Sequence, residues 1–92
     1  MYVHLGGDLI VAVMDVVAVL DARLVAGSAI NEEFIRHAQA SGHLRGQEAV
    51  GESKSVVVTR DRAVYVSGIS PATLTRRMTH LRQSLRAWDA ES

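Results

Sequence analysis

The stretch that most limits what this chain can become is its beginning, "MYVHLGGDLIVAVMDVVAVLD". Valine, leucine, isoleucine and alanine fill it with little polar alternation, which is the pattern of strands with protein on both faces. Three short strands are expected: Tyr2 to Leu5, Leu9 to Val13 and Val16 to Leu20. Gly6-Gly7 between the first two readily takes the positive φ angles of a hairpin turn. Met14-Asp15 forms the corner before the third. The cover these strands call for comes either from helices or from a neighbouring subunit.

The rest of the chain supplies candidates for that cover. "GSAINEEFIRHAQASG" reads as a helix with Ser28 as N-cap, Glu32 and Glu33 near the positive end of the dipole, and Gly42 as its stop. Ile30, Phe34 and Ala38 recur every four residues as its expected buried stripe. "HLRGQEAVGES" has two glycines and little apolar content, so a loop is expected there. "SKSVVVTRDRAVYVSG" reads as a hairpin with strands Ser55 to Thr59 and Ala63 to Ser67. "TRDR" carries its turn, Asp61 favouring the local geometry and Arg60 and Arg62 pushed to solvent.

A last helix opens with Ser70 as N-cap and Pro71, the chain's one proline, at the first helical position, where the missing N–H costs nothing. Leu74, Met78, Leu81, Leu85 and Trp88 follow at spacings of 4, 3, 4 and 3, a heptad-like seam. The expected order is βββ-α-ββ-α, a small single α+β domain over residues 1–92. At 92 residues the core is small, so contacts between subunits are expected to add stability, with the helical seam as an oligomer interface.

Charge narrows the function. The total is zero, but residues 1–53 carry seven acids against three arginines, a net −4, and residues 54–88 carry a net +6. A neutral whole argues against indiscriminate coating of nucleic acid, while a basic half leaves room for a local phosphate-binding patch. Lys54, Arg60, Arg62, Arg76 and Arg77 are its candidates. On a helical wheel the arginines of the last helix ring the apolar seam rather than share one outward face. That favours a packing helix over a groove-reading one, and makes the hairpin-tip arginines equally good candidates for phosphate contact.

Other chemistry is poorly supported. His4, His37, His43 and His80 have no metal-ligand spacing between them, so no metal or other cofactor is expected. No nucleophile motif accompanies Asp8, Asp15 or Asp21, and "LGGD" lacks the further glycines and the lysine of a phosphate-cradling loop; an enzyme with a small-molecule substrate is not expected. The absence of cysteine fits a reducing compartment. The apolar run Leu9 to Leu20 is too short to span a bilayer, and "MYVHLGGD" has no basic region before an apolar one. A cytoplasmic protein without membrane attachment is therefore expected.

The ordered set of "MYVHLGGDLIVAVMDVVAVLD", "EEF", "SKSVVVT" and "SGISPATLTRR" resembles the RemB branch of the RemA/RemB family of extracellular matrix regulatory proteins, also described as domain of unknown function 370. The resemblance spans roughly residues 1–78, leaving 79–92 as a C-terminal helical extension. It implies a regulator of biofilm matrix genes, forming a ring-like homo-oligomer that presents a basic surface to double-stranded DNA. The family's DNA-binding branch has an arginine where this chain has Asp15, and an arginine-rich loop where this chain reads "GESKS". Of those contacts only Lys54 carries over. A second reading stands beside the first: a structural or adaptor homo-oligomer that binds a protein partner and no DNA.

Overall fold

The structure is a computed structural model that describes residues 1–46 and 52–91, the side chains of 84–91 excepted. Its nine regular elements are β1 (Tyr2–Gly6), β2 (Leu9–Ala12), β3 (Val16–Asp21), α1 (Ala22–Ala26), α2 (Ala29–Ala40), β4 (Leu44–Arg45), β5 (Ser55–Thr59), β6 (Val64–Ser67) and α3 (Pro71–Glu91). A single 3-10 turn, Val13–Asp15, makes the Met14-Asp15 corner. The expected strands, both expected helices and both serine caps are present. Ser28 Oγ accepts from the Asn31 N–H, and Ser70 Oγ accepts from the Thr73 N–H. Two elements were not expected: α1, capped by the Asp21 carboxylate on the Arg23 N–H, and β4, a two-residue strand inside the expected loop. Residues 47–51 of that loop lie outside the described residues.

β3, β5, β6 and β4 form one sheet in that order, antiparallel except for β4, which runs parallel to β6; β1 and β2 form a separate hairpin. Alternation along β5 explains the layering, because successive side chains face opposite ways. Val57 joins Val3, Leu5, Val11, Val13, Leu74 and Met78 in one cluster, and its neighbour Val56 joins Ala22, Val25, Ile35, Ala38, Val64 and Val66 in another. The central sheet is thus covered by the β1-β2 hairpin and α3 on one face and by α1 and α2 on the other.

Within one chain the cover of the N-terminal strands is one-sided. Val3, Leu5 and Val11 point inward, while Tyr2, Ile10 and Val17 remain exposed. The expected stripe of α2 is also displaced. Ala38 is buried, but Ile30 is 79% and Phe34 43% exposed, and Ile35 takes the inward place. One residue step turns a helix by about 100°, so α2 meets α1 and the sheet with Ile35 and Ala38 and leaves Ile30 and Phe34 on its flank.

The seam of α3 is divided too. Leu74 is fully buried and Met78 nearly so, both in the chain's own core, with Leu81 packed against them. Leu74 and Met78 are therefore spent inside the subunit and are corrected from interface to core residues. Leu85 and Trp88 fall within α3, but their side chains lie outside the described residues.

Buried serines fasten the two layers together. Ser67 Oγ donates to the Leu5 carbonyl at 2.5 Å and accepts from the Ile69 N–H, while Ser55 Oγ donates to the Ile69 carbonyl. An unmade buried hydrogen bond costs about 1–3 kcal/mol, so these hydroxyls fix β1 and the start of α3 against the sheet.

Candidate nucleic-acid interface

Four residues, 60–63, connect β5 to β6, and between the hydrogen-bonded Thr59 and Ala63 they form a three-residue loop, Arg60-Asp61-Arg62. The Arg62 N–H donates to the Thr59 carbonyl at 3.1 Å, and the Thr59 N–H donates to the Ala63 carbonyl at 3.0 Å. This is a tight turn followed by a residue in the left-handed region, the usual three-residue hairpin solution. Arg62 occupies that position with φ at 69°, the one described non-glycine residue with positive φ. Asp61 supports the turn from within: its Oδ1 accepts from the Thr59 hydroxyl at 2.5 Å and from the Ala63 N–H at 3.2 Å. The Thr59 hydroxyl, the Ala63 N–H and the nearby Arg45 charge hold its carboxyl below the usual carboxylate range. Asp61 stays exposed, but its Oδ1 bonds back to the turn, and Arg60 and Arg62 flank it without being paired to it.

Arg60 and Arg62 do not form one cluster with Lys54. Lys54 precedes β5 and Arg60 follows it, so the five residues of β5 separate them, a span of roughly 20 Å. The Lys54 backbone is held between the Ser67 carbonyl and the Ala22 N–H. Asp21, opposite Ser55, lies at this end of the sheet, as does the β1-β2 turn with Asp8, which shares a cavity with Gly68 and Ile69. Glu52 is two residues away in the chain. Lys54 thus stands at an end that holds Asp8, Asp21 and Glu52, with Arg23 paired to Asp21. Arg76 and Arg77 are exposed on the solvent side of α3, Arg76 reaching Thr73 Oγ1 at 3.4 Å.

At the opposite end the hairpin tip gains neighbours that the sequence did not point to. The Arg60 N–H donates to the Asp15 carbonyl at 2.8 Å, which places Arg60 beside the Met14-Asp15 corner. Arg82 lines a shallow cleft with Met1, Val13, Met14 and Leu81, on the other side of that corner. Arg45, from the acidic half of the sequence, arrives through β4: it pairs with Tyr65, and its Nη1 donates back to the Gly42 carbonyl at 2.5 Å. Among the described residues the one ion pair is Arg23–Asp21 at 2.9 Å, remote from this tip. Hydrogen bonds from Arg23, side chain first and then backbone, hold the Asp21 carboxyl below its usual range.

A cavity of about 380 Å³ opens at the Lys54 end, between the β1-β2 turn and the β6-α3 junction. Leu5, Leu9, Val66 and Ile69 line it with glycine backbone, and Asp8 is its one ionisable wall residue. It offers no cation to a phosphate. The exposed apolar residues fall on two opposite layers: Met1, Tyr2, Ile10, Met14 and Val17 on or beside the hairpin side and Leu24, Ile30 and Phe34 on the helical side. No helix among the described residues is long and apolar enough to cross a membrane.

A family model described as RemA-like, extracellular matrix regulatory protein A-like, matches residues 2–78 of the chain. "Extracellular matrix regulatory protein B" of Bacillus subtilis (strain 168) is 36% identical over 77 residues, covering 84% of this chain and 89% of that protein.

Proposed function

From the membership of this chain in the RemA-like family of extracellular matrix regulatory proteins, we propose that it is a homo-oligomeric, DNA-binding regulator of extracellular matrix (biofilm) gene expression. The observation that carries the proposal is the β5-β6 tip, where Arg60 and Arg62 are exposed on a turn whose own acid, Asp61, bonds the Thr59 hydroxyl and the Ala63 N–H rather than either arginine. Two exposed guanidinium groups without a carboxylate partner suit the phosphates of a duplex, which arginine meets with a planar fork of donors. Arg76 and Arg77 are further exposed cations on α3, which starts at the Lys54 end of the sheet. Contact is with the backbone, and one copy makes only a few such contacts.

Oligomerisation supplies the repetition. The two apolar faces lie on opposite layers of the subunit and differ in residues, so a contact joining one to the other is head-to-tail, the kind that closes into a ring when the rotation closes. Covering Leu24, Ile30 or Phe34 is worth up to about 1.5–3 kcal/mol each. Copies linked rigidly raise avidity without any new contact per copy.

The test is a fluorescence-anisotropy titration on a promoter-length duplex, preceded by a light-scattering mass. Binding that weakens steeply with salt, by a slope of about 0.9 per phosphate neutralised, supports the reading. A signal that is absent at low salt, or indifferent to salt, removes it. The second reading, an adaptor oligomer that binds a protein partner and no DNA, draws on Asp15 beside Arg60 and Glu52 near Lys54. An acid next to a phosphate repels it. Partners captured in a pull-down that survive nuclease treatment favour this second reading.

A further inference from the structure

We infer that the duplex backbone is met by one end of the central sheet only, with Arg45 as a third phosphate contact beside Arg60 and Arg62, and that Lys54 at the other end makes none. The inference rests on the DNA-binding reading above and assigns its contacts.

The strand order carries it. β4 is the edge strand next to β6 and runs parallel to it, entering at the hairpin-tip end, where the Val64 N–H donates to the His43 carbonyl at 2.9 Å. Arg45 therefore stands beside Tyr65, the second residue of β6 after the tip. Its guanidinium does not continue along the strand but turns back to the Gly42 carbonyl, toward the end from which β4 enters. After the hydrogen bonds from Thr59 and Ala63, the Arg45 charge also lowers the Asp61 carboxyl below its usual range, in keeping with that placement. All three arginines are exposed, and none has a carboxylate partner among the described residues.

Lys54 is likewise exposed and, among the described residues, in no ion pair, but it differs in place and surroundings. It stands about a strand length from the tip, and Asp8, Asp21 and Glu52 share its end of the sheet. A duplex at the tip meets Arg45, Arg60 and Arg62 with Asp15 and Asp61 beside them, while a duplex at Lys54 meets Asp8, Asp21 and Glu52, with Arg23 already paired to Asp21. The excess of cations at the tip orients the subunit on a polyanion before any close contact forms.

The experiment compares salt slopes of duplex binding for the full chain and three variants, Arg45→Ala, Arg45→Lys and Lys54→Ala, each checked for an unchanged circular-dichroism melt. Arg45→Ala is expected to reduce the slope by about 0.9 per engaged subunit, Arg45→Lys to keep it, and Lys54→Ala to leave it unchanged. Duplex binding by the wild type with an unaltered Arg45→Ala slope, or with a slope lowered by Lys54→Ala, overturns this assignment while the functional reading stands. A wild type that ignores duplex DNA at low salt overturns both together. Preferential binding of single-stranded RNA of equal length overturns the assignment to duplex backbone.

Discussion

Arg62 sits where glycine would be at ease, and replacing it separates the backbone from the charge. A non-glycine residue in the left-handed region costs about 1–2 kcal/mol, and Arg62 has φ at 69°. Arg62→Gly removes that strain but makes the unfolded chain more flexible, which takes back about 0.4–1 kcal/mol. The net expectation is a stabilisation of roughly 0.5–1 kcal/mol, because the Arg62 side chain makes no hydrogen bond or ion pair that the variant would lose. For a domain of this size that raises the melting temperature by about 3–6 °C. The same variant is expected to lower the salt slope of DNA binding by about 0.9 per engaged subunit.

The assay is a calorimetric melt at one fixed protein concentration, since oligomers melt in a concentration-dependent way. Arg62→Ala is the control. It loses the same charge but keeps the left-handed strain, so its slope should fall like that of Arg62→Gly while its melting temperature does not rise. If glycine and alanine melt alike, or if glycine melts below the wild type, the side chain rather than the backbone governs the turn. Position 62 then does not give up stability to hold a cation outward.

Three further outcomes follow from the packing. Leu74→Ala, at a fully buried position between β1 and the sheet, is expected to cost about 2–5 kcal/mol and to lower the melting temperature by at least about 10 °C. Gly46→Ala places a Cβ 2.6 Å from Val66 Cγ2 and 2.8 Å from the Val66 carbonyl oxygen at φ +117°, so it should displace β4 at a cost of about 1–3 kcal/mol. It should also lower the salt slope as Arg45→Ala does, although Arg45 is still present. Acid titration should destabilise the protein: Asp21 and Asp61 have folded pKa values below their unfolded ones, so their contribution is complete above the ordinary carboxylate value of about 3.9 and is lost as pH falls through the lowered values. Melts from pH 5 downward should show the loss, and Asp21→Asn combined with Asp61→Asn should flatten it.

The parts of the fold legible in the sequence are those set by local rules. Ser28 and Ser70 cap their helices, the valine runs become strands, and "TRDR" turns where Asp61 can bond its own backbone. What was not legible depends on tertiary placement. α2 has apolar residues both at Ile30 and Phe34 and at Ile35 and Ala38, and four-residue spacing alone does not say which pair faces the sheet. α1 left a signal in "LDAR", where Asp21 both caps the helix and pairs with Arg23, but five residues are too few for periodicity. Likewise Leu74 and Met78 fit a seam between subunits as well as they fit a core. Charge was the least legible of all, because a tally by chain segment gives Lys54 to the basic half and Arg45 to the acidic half. Strand pairing exchanges them: β4 delivers Arg45 to the tip, and the length of β5 carries Lys54 away from it.

That exchange bears on the proposed assembly. Head-to-tail contact through the hairpin layer of one copy and the helical layer of the next stacks the layers along the line from copy to copy. The strands of each central sheet lie in the plane of the layers, across that line, so the tip of β5-β6 does not point into a neighbour. Rotation about a ring axis then sends every tip to the same face or the same rim, and every Lys54 end the opposite way. Arg45, Arg60 and Arg62 recur once per copy along one side, where each alone would hold a phosphate weakly. On this geometry an interface change such as Ile30→Glu, which leaves the tip intact, should reduce both the light-scattering mass and the duplex affinity. A variant that remains fully assembled and binds as before would place the contact between copies elsewhere, and a monomer that binds as tightly as the wild type would deny that repetition matters.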